Sequence, residues 1–275
     1  MDIESEVAAH YGRADIREKL LAVLAEAGRS VETLTLDDLA PIDQLHVRGL
    51  PATLELGAAL SLASDMRVLD VGSGTGGPSR CFANLYGCSV TGIDLTQEYC
   101  AFAEFIAVHL GLDRLLTYVR GSALAMPFAS ATFDAAYTLH VAMNIADKTA
   151  FYGEIARVLK PGALFGIYDL IKGDGGKVLF PVPWARTQAT SFLSTADELA
   201  ALLDVAGFEI VHWRNSTAEA LEWFDRLAEA ARRPDGPLLR FDLLMGEKTR
   251  VMGWNQWRNL GERRVVPAQV LCRTR

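Results

Sequence analysis

Cysteine is scarce in this 275-residue chain and is never paired by spacing: Cys81, Cys88, Cys100 and Cys272 form no C-x-x-C unit. A thiolate zinc site needs such pairs, so the four thiols are read as reduced core residues. Histidine is equally dispersed, at His10, His46, His109, His140 and His212, which argues against a multi-histidine metal centre, and no metal is expected. No apolar run reaches the ~18 residues needed to span a bilayer. The acidic start, Met1-Asp2-Ile3-Glu4-Ser5-Glu6, lacks the basic-then-apolar order of a secretory leader. A cytoplasmic protein with no membrane partner is expected. There is no excess of basic charge either. With 27 basic and 34 acidic residues the formal charge is −7, which disfavours sequence-independent binding to nucleic acid. Internal repeats and low-complexity tracts are absent.

What is present is a globular composition, half apolar and 22% charged, long enough for one large domain with a lid. Charge is unevenly placed: residues 226–275 hold eleven basic and five acidic side chains, a basic segment able to face an anionic small molecule. Residues 1 to about 60 read as helical, with Ile16, Leu20, Val23, Leu24 and Ala27 on one face and Asp15 and Glu18 in a capping-box pattern. A polar loop, Asp43-Gln44-Leu45-His46-Val47-Arg48-Gly49, separates these helices from an Ala/Leu-rich one and is a candidate binding element.

From Arg67 onward short apolar runs alternate with helical stretches. Strands are expected at 67–71, 89–94, 115–120, 133–140, 163–170, 208–214 and 265–272, with helices near 79–86, 98–110, 148–159 and 196–206. Such alternation predicts an α/β fold, a seven-stranded Rossmann-like sandwich with helices on both faces. Two segments interrupt it. One is a long connection at 172–194, expected to be functional or mobile. The other is a helical insertion at about 216–259 with Leu221, Phe224, Ala228 and Ala231 at helical spacing. The expected organisation is an N-terminal helical cap, 1–64, on a domain of 65–275, with Trp254 and Trp257 pinning the last helix to the sheet.

The most informative run is Asp70-Val71-Gly72-Ser73-Gly74-Thr75-Gly76-Gly77-Pro78, an apolar strand breaking into a glycine-rich turn that opens a helix. The pattern suits close backbone contact with a nucleotide, and an NAD-dependent oxidoreductase is one reading. Three features oppose it. Asp70 would repel a pyrophosphate but receive an ammonium group, Pro78 removes an N–H from the helix start, and about 65 residues precede the first strand. Asp94 ends the second strand, where a carboxylate accepts ribose hydroxyls. A nucleoside with an amino-acid tail satisfies both acids, and S-adenosyl-L-methionine is such a molecule.

Further motifs follow in order: Val90-Thr91-Gly92-Ile93-Asp94-Leu95, Gly121-Ser122-Ala123-Leu124-Ala125-Met126-Pro127-Phe128, Phe133-Asp134, Arg157-Val158-Leu159-Lys160-Pro161-Gly162 and Ala206-Gly207-Phe208. On these the chain resembles the class I S-adenosylmethionine-dependent methyltransferases from about Val68 to Phe208. It looks most like small-molecule members related to sarcosine/dimethylglycine and phosphoethanolamine methyltransferases. The resemblance implies that Asp70 and the backbone around Gly72 and Gly74 hold the methionyl tail, with Gly76 also in the cofactor-binding loop, Asp94 the ribose and Leu95 one face of the adenine. Ser122 and Ala123 stand where relatives use an acid and a small residue to read the adenine amino group. Gln44 belongs to a loop that relatives close over the cofactor.

Methyl transfer depends on holding donor and acceptor in line, with a base needed only when the acceptor starts protonated. Residues after the fourth and fifth strands lie nearest the reacting methyl in such sheets. His140 is the candidate base or acceptor-orienting group. Tyr11 resembles a catalytic lid tyrosine of phosphoethanolamine enzymes, but Asn144 replaces their histidine, which disfavours phosphobase methylation. Asn144 and Trp184 are candidate acceptor contacts. The resulting expectation is methyl transfer to N or O of a small molecule. The alternatives are C-methylation of an anionic acceptor held by Arg232, Arg233 and Arg240, or a cofactor-binding protein without turnover.

Overall fold

A computed structural model describes residues 3–12, 15–230, 232, 239, 243 and 249–275. Four helices precede the sheet: α1 (Ile3–Tyr11), α2 (Ile16–Glu26), α3 (Leu36–Asp43) and α4 (Leu50–Ala59). Then come β1 (Arg67–Val71), α5 (Gly77–Tyr86), β2 (Ser89–Asp94), α6 (Gln97–His109), β3 (Leu116–Arg120), β4 (Phe133–Leu139), α7 (Lys148–Val158), β5 (Leu159–Lys172), α8 (Ala196–Val205) and β6 (Phe208–Asn215). The chain ends with α9 (Thr217–Ala230), α10 (Thr249–Gly261) and β7 (Val265–Thr274). Among the described residues no helix is long and apolar enough to cross a membrane.

The sheet order is β3-β2-β1-β4-β5-β7-β6. β1 to β5 run parallel, and β7 inserts antiparallel between β5 and β6. This is the seven-stranded Rossmann-like sandwich that the alternation predicts. The chain leaves β1 toward one edge and returns at β4 on its other side. That reversal opens a crevice beyond the carboxyl ends of β1 and β4.

Apolar clusters cover both faces of the sheet. Leu69, Phe133, Phe151, Ile155, Phe165 and Leu203 meet on the side of α7 and α8, and Val68, Phe82, Ala103, Tyr118 and Tyr137 meet on the side of α4, α5 and α6. The N-terminal helices pack through Leu20, Leu24, Leu39 and Ile42 against Tyr99, Phe102 and Ile106 of α6.

Several local expectations change. Asp15 makes no side-chain cap to α2; its carboxylate pairs with Lys19 at 2.8 Å instead. Capping boxes form at Thr35/Asp38 and Thr195/Glu198. β5 starts earlier than the apolar run at 163, because Leu159 already pairs with Phe133. α10 buries Met252, Gln256, Asn259 and Leu260, so Trp254 lies off the inward stripe. It is 60% exposed and stacks on Trp257 at 5.0 Å rather than anchoring the helix. Ala231, Arg233 and Arg240 lie outside the described residues. The 172–194 connection is tied down, with Gly173 and Gly175 N–H groups donating to Arg264 and Arg263 carbonyls and Phe192 N–H to the Met143 carbonyl.

One buried ion pair joins the N-terminal helices to the sheet. Arg80, near the start of α5, donates to Asp43 Oδ2 at 2.8 Å and to the Thr75 carbonyl at 2.8 Å, with both side chains 2% exposed or less. Burial pushes the Asp43 carboxyl upward and the guanidinium opposes that shift. A pair so enclosed is costly to halve. Asp43→Ala should lower the unfolding free energy by ~3–5 kcal/mol in urea titration, and a loss near that of an exposed pair, about 0–1 kcal/mol, would contradict the burial.

Candidate active site

Beyond Val71 the chain turns through the glycine loop directly into α5. At Gly72, with φ 78°, an added Cβ would lie 2.3 Å from Val141 Cγ2, so only glycine fits between β1 and the turn after β4. At Gly76, with φ 80°, it would lie 2.4 Å from the Tyr118 hydroxyl. The Gly74 N–H donates to Asp94 Oδ2 at 2.8 Å, and the Thr96 N–H to Oδ1 at 2.8 Å. Asp94 is thereby fixed beside the loop, and each oxygen keeps a lone pair for a further donor.

Asp70 is buried and accepts from Ser79 Oγ at 2.6 Å. Burial pushes its carboxyl up to about 7, an environment in which a neighbouring ammonium would restore the ionised form. Ser73 Oγ and Thr75 Oγ1 are buried in the same loop without partners among the described residues. Leu95 lines a cavity of about 450 Å³ with Ala8, Ala9, Gly12, Thr96, Gln97, Glu98 and Arg120. Ser122 Oγ accepts from the Leu124 N–H at 3.0 Å and donates to Glu4 Oε1 of α1 at 2.5 Å; Ala123 follows, partly buried. Gln44 closes the end of α3 and accepts from the Thr53 hydroxyl at 2.6 Å.

On the other side of the loop, His140 follows β4 directly with φ 56°, a conformation uncommon outside glycine and costly unless its surroundings hold it. Asp169 in β5 does so, accepting from the Val141 and Ala142 N–H groups at 3.3 and 2.6 Å. Lys148 Nζ donates to the Ala142 and Ile145 carbonyls at 2.6 and 2.7 Å, closing the same turn. Burial pushes Asp169 up to about 6 and Lys148 down to about 8.

The His140 ring stacks on Tyr168 at 5.5 Å, and the His46 ring stands edge-on to both at 6.0 Å. Burial lowers His140 well below the ordinary imidazole value, with His46 adding to the shift, and His140 Nε2 has no partner among the described residues. Burial brings His46 to about 4; its Nε2 lies 3.0 Å from the Gly49 carbonyl and therefore carries the proton as donor.

Tyr11 donates to Asn144 Oδ1 at 3.0 Å, while Asn144 Nδ2 donates to the Trp184 and Thr190 carbonyls at 2.8 and 2.9 Å. Burial raises Tyr11 well above its usual value, with Tyr99, Asp94 and Asp169 adding to the effect. Trp184 is 1% exposed and donates through Nε1 to Ser191 Oγ at 3.0 Å.

The structure thus brings Asp70, the glycines, Asp94 and Leu95 to one side of the crevice, His140 and Asn144 to the other, and Tyr11 over both. Trp184 is packed within the wall. His46, Tyr168 and Glu4 join the site without having been singled out. His46 had a signal in its loop, whereas Tyr168 sits in an apolar strand run and Glu4 is one acid in a helical stretch. Among the described residues no group of three or more His, Cys, Asp or Glu side chains is placed to hold a metal ion.

Residues 69–167 match the family model described as a methyltransferase domain. The chain carries a class I S-adenosylmethionine-dependent methyltransferase domain. It is 33% identical over 164 residues to a sterol 24-C-methyltransferase of Neurospora crassa, covering 57% of this chain and 43% of that one, so it spans less than half the length of that relative. Among solved structures, the [4+2]-cyclase SpnF shares 26% identity at a TM-score of 0.64, covering 82% and 80% of the two chains. A phosphoethanolamine N-methyltransferase of Haemonchus contortus, in complex with S-adenosyl-L-methionine, shares 21% at a TM-score of 0.67, over 84% and 53%, a likeness of fold.

The domain family uses S-adenosylmethionine, and the residues present fit it. The Gly72 cradle that a Cβ would fill, the desolvated Asp70 and the unpartnered loop hydroxyls suit an amino-acid tail, and Asp94 suits ribose hydroxyls. Gly72→Ala should weaken S-adenosylhomocysteine binding by roughly tenfold or more by calorimetry, because the turn is strained as well as blocked. Adding Val141→Ala should recover part of that loss; no loss in the single variant would contradict the cradle.

Proposed function

We propose that this domain transfers the methyl group to carbon, at a carbon–carbon double bond of an apolar small molecule. The observation that carries this reading is the cluster of three rings, His46, His140 and Tyr168, around one unpartnered neutral imidazole nitrogen. An N or O acceptor needs polar groups to grip it. Here Asn144 is engaged by Tyr11, Trp184 and Thr190, Asp169 by backbone N–H groups, and Lys148 by two carbonyls. What remains are ring faces, with Val47 beside His46 belonging to a buried apolar cluster that includes Met143, Leu170, Val182 and Trp184. The sterol C-methyltransferase relative supports the same preference. In this reading residues 1–64 form the cap and 65–275 the catalytic domain.

S-adenosylmethionine supplies, when bound, an electrophilic sulfonium methyl. The acceptor's π pair forms the new C–C bond as the methyl–sulfur bond breaks and its electron pair stays on sulfur as a neutral thioether; a neighbouring carbon is left positively charged, and loss of an adjacent C–H proton restores the double bond. The electron-rich faces of Tyr168 and the imidazoles favour that cation. His140 Nε2 takes the proton, because burial keeps the ring neutral through the physiological range. Arg48 stands close by, but its charge is answered by a two-point pair with Glu55.

An uncharged acceptor fits better than an anionic one. Of the described C-terminal cations, Arg258 and Arg264 pair with Glu262, Arg263 with Asp174 and Arg275 with Asp204, while Arg232, Arg250 and Arg273 are exposed. The likeness to a [4+2]-cyclase supports a second reading, ring closure in the same apolar surroundings, in which the product is an isomer of the substrate.

Incubation with methyl-labelled cofactor and a panel of apolar alkenes decides between these. Label on an alkene carbon supports the proposal, label on N or O overturns it, and an isomerised acceptor with intact cofactor establishes the cyclase. For an active acceptor, His140→Ala should lower kcat by roughly 10²–10⁴-fold and leave S-adenosylhomocysteine affinity nearly unchanged. The wild-type rate should be level across the ordinary histidine range, since the imidazole is already neutral there; an acid limb near the usual value of about 6.5 would contradict this.

A further inference from the structure

We propose that Glu4 of α1 reads the adenine amino group of the cofactor; the inference rests on the S-adenosylmethionine reading above. An exocyclic amine offers two N–H donors and is distinguished from a carbonyl only by an acceptor placed at that edge. The loop after β3 has no carboxylate of its own at Ser122. The Ser122 hydroxyl gives its single proton to Glu4 Oε1 and takes the Leu124 N–H. The carboxylate therefore comes from elsewhere in the chain, and Glu4 Oε2 has no partner among the described residues.

The rest of α1 is shaped to the same purpose. Glu4, Ala8 and Tyr11 are spaced to share one helix face. Glu4 meets Ser122, Ala8 lines the 450 Å³ cavity opposite Leu95, and Tyr11 meets Asn144 beside the proposed acceptor site. The small side chain of Ala8 leaves room for a flat ring against Leu95. The helix so placed spans the site from the base to the reacting end. Glu4 itself is only partly buried and outside the apolar clusters, so its substitution leaves the core packing intact and can be read as a binding effect.

The test compares S-adenosylhomocysteine with S-inosylhomocysteine, in which a carbonyl replaces the amino group, by calorimetry on the full chain. Wild-type protein should prefer the adenosyl compound. Glu4→Gln, whose amide serves either edge, should reduce that preference by roughly tenfold or more, and Glu4→Ala should weaken the adenosyl compound by a similar factor while leaving the inosyl compound unchanged. An unaltered preference in both variants overturns the role of Glu4 and leaves the cofactor reading standing. Failure of wild-type protein to bind either compound overturns the cofactor reading itself.

Discussion

The buried pair between Asp43 and Arg80 is the constraint on which the site depends. Enclosing two charges is tolerable only with good geometry and further hydrogen bonds. Here the guanidinium also holds the Thr75 carbonyl of the glycine loop. The contact leaves no room for a side chain at Gly77, whose Cβ would lie 2.3 Å from the Asp43 carbonyl. The segment after Asp43 carries His46 and Arg48. One ion pair thus ties the loop proposed to hold the methyl donor to the segment that carries His46, one of the rings proposed to meet the acceptor.

The polar groups around the crevice are mostly engaged in holding backbone. Asp169 and Lys148 fix the turn that keeps His140 in its left-handed conformation, and Asn144 ties α1 to the 172–194 connection. Their engagement leaves ring faces and, on His140, an Nε2 without a partner among the described residues for chemistry. Such a site favours a reaction in which positioning supplies much of the rate, up to ~7–11 kcal/mol of the barrier, over one that must first ionise an acceptor.

The alternation of apolar runs made the seven strands and the Rossmann-like class legible, since buried parallel strands and amphipathic helices leave different periodicities. The glycine loop and Asp94 were legible because they need particular residues at particular spacings. The acceptor side was not. His46 and His140 approach only after β1, β4 and the segment following α3 have folded together, and Tyr168 carries the signature of a core residue. Asp15 and Trp254 show the limit of local patterns: a capping-box spacing gave way to an ion pair with Lys19, and two tryptophans three apart stacked on each other instead of entering the core. The N or O preference came from resemblance and motif, whereas the carbon preference comes from which polar groups are already occupied.

A crystal structure of the full chain with S-adenosylhomocysteine bound tests the central claim most directly. The account predicts the nucleoside over Asp94 and Leu95, the amino-acid tail in the glycine loop, and the thioether sulfur facing the His46, His140 and Tyr168 rings with room between them for an alkene. A sulfur turned away from those rings, toward solvent or toward the buried side of Asp169 and Lys148, would contradict it.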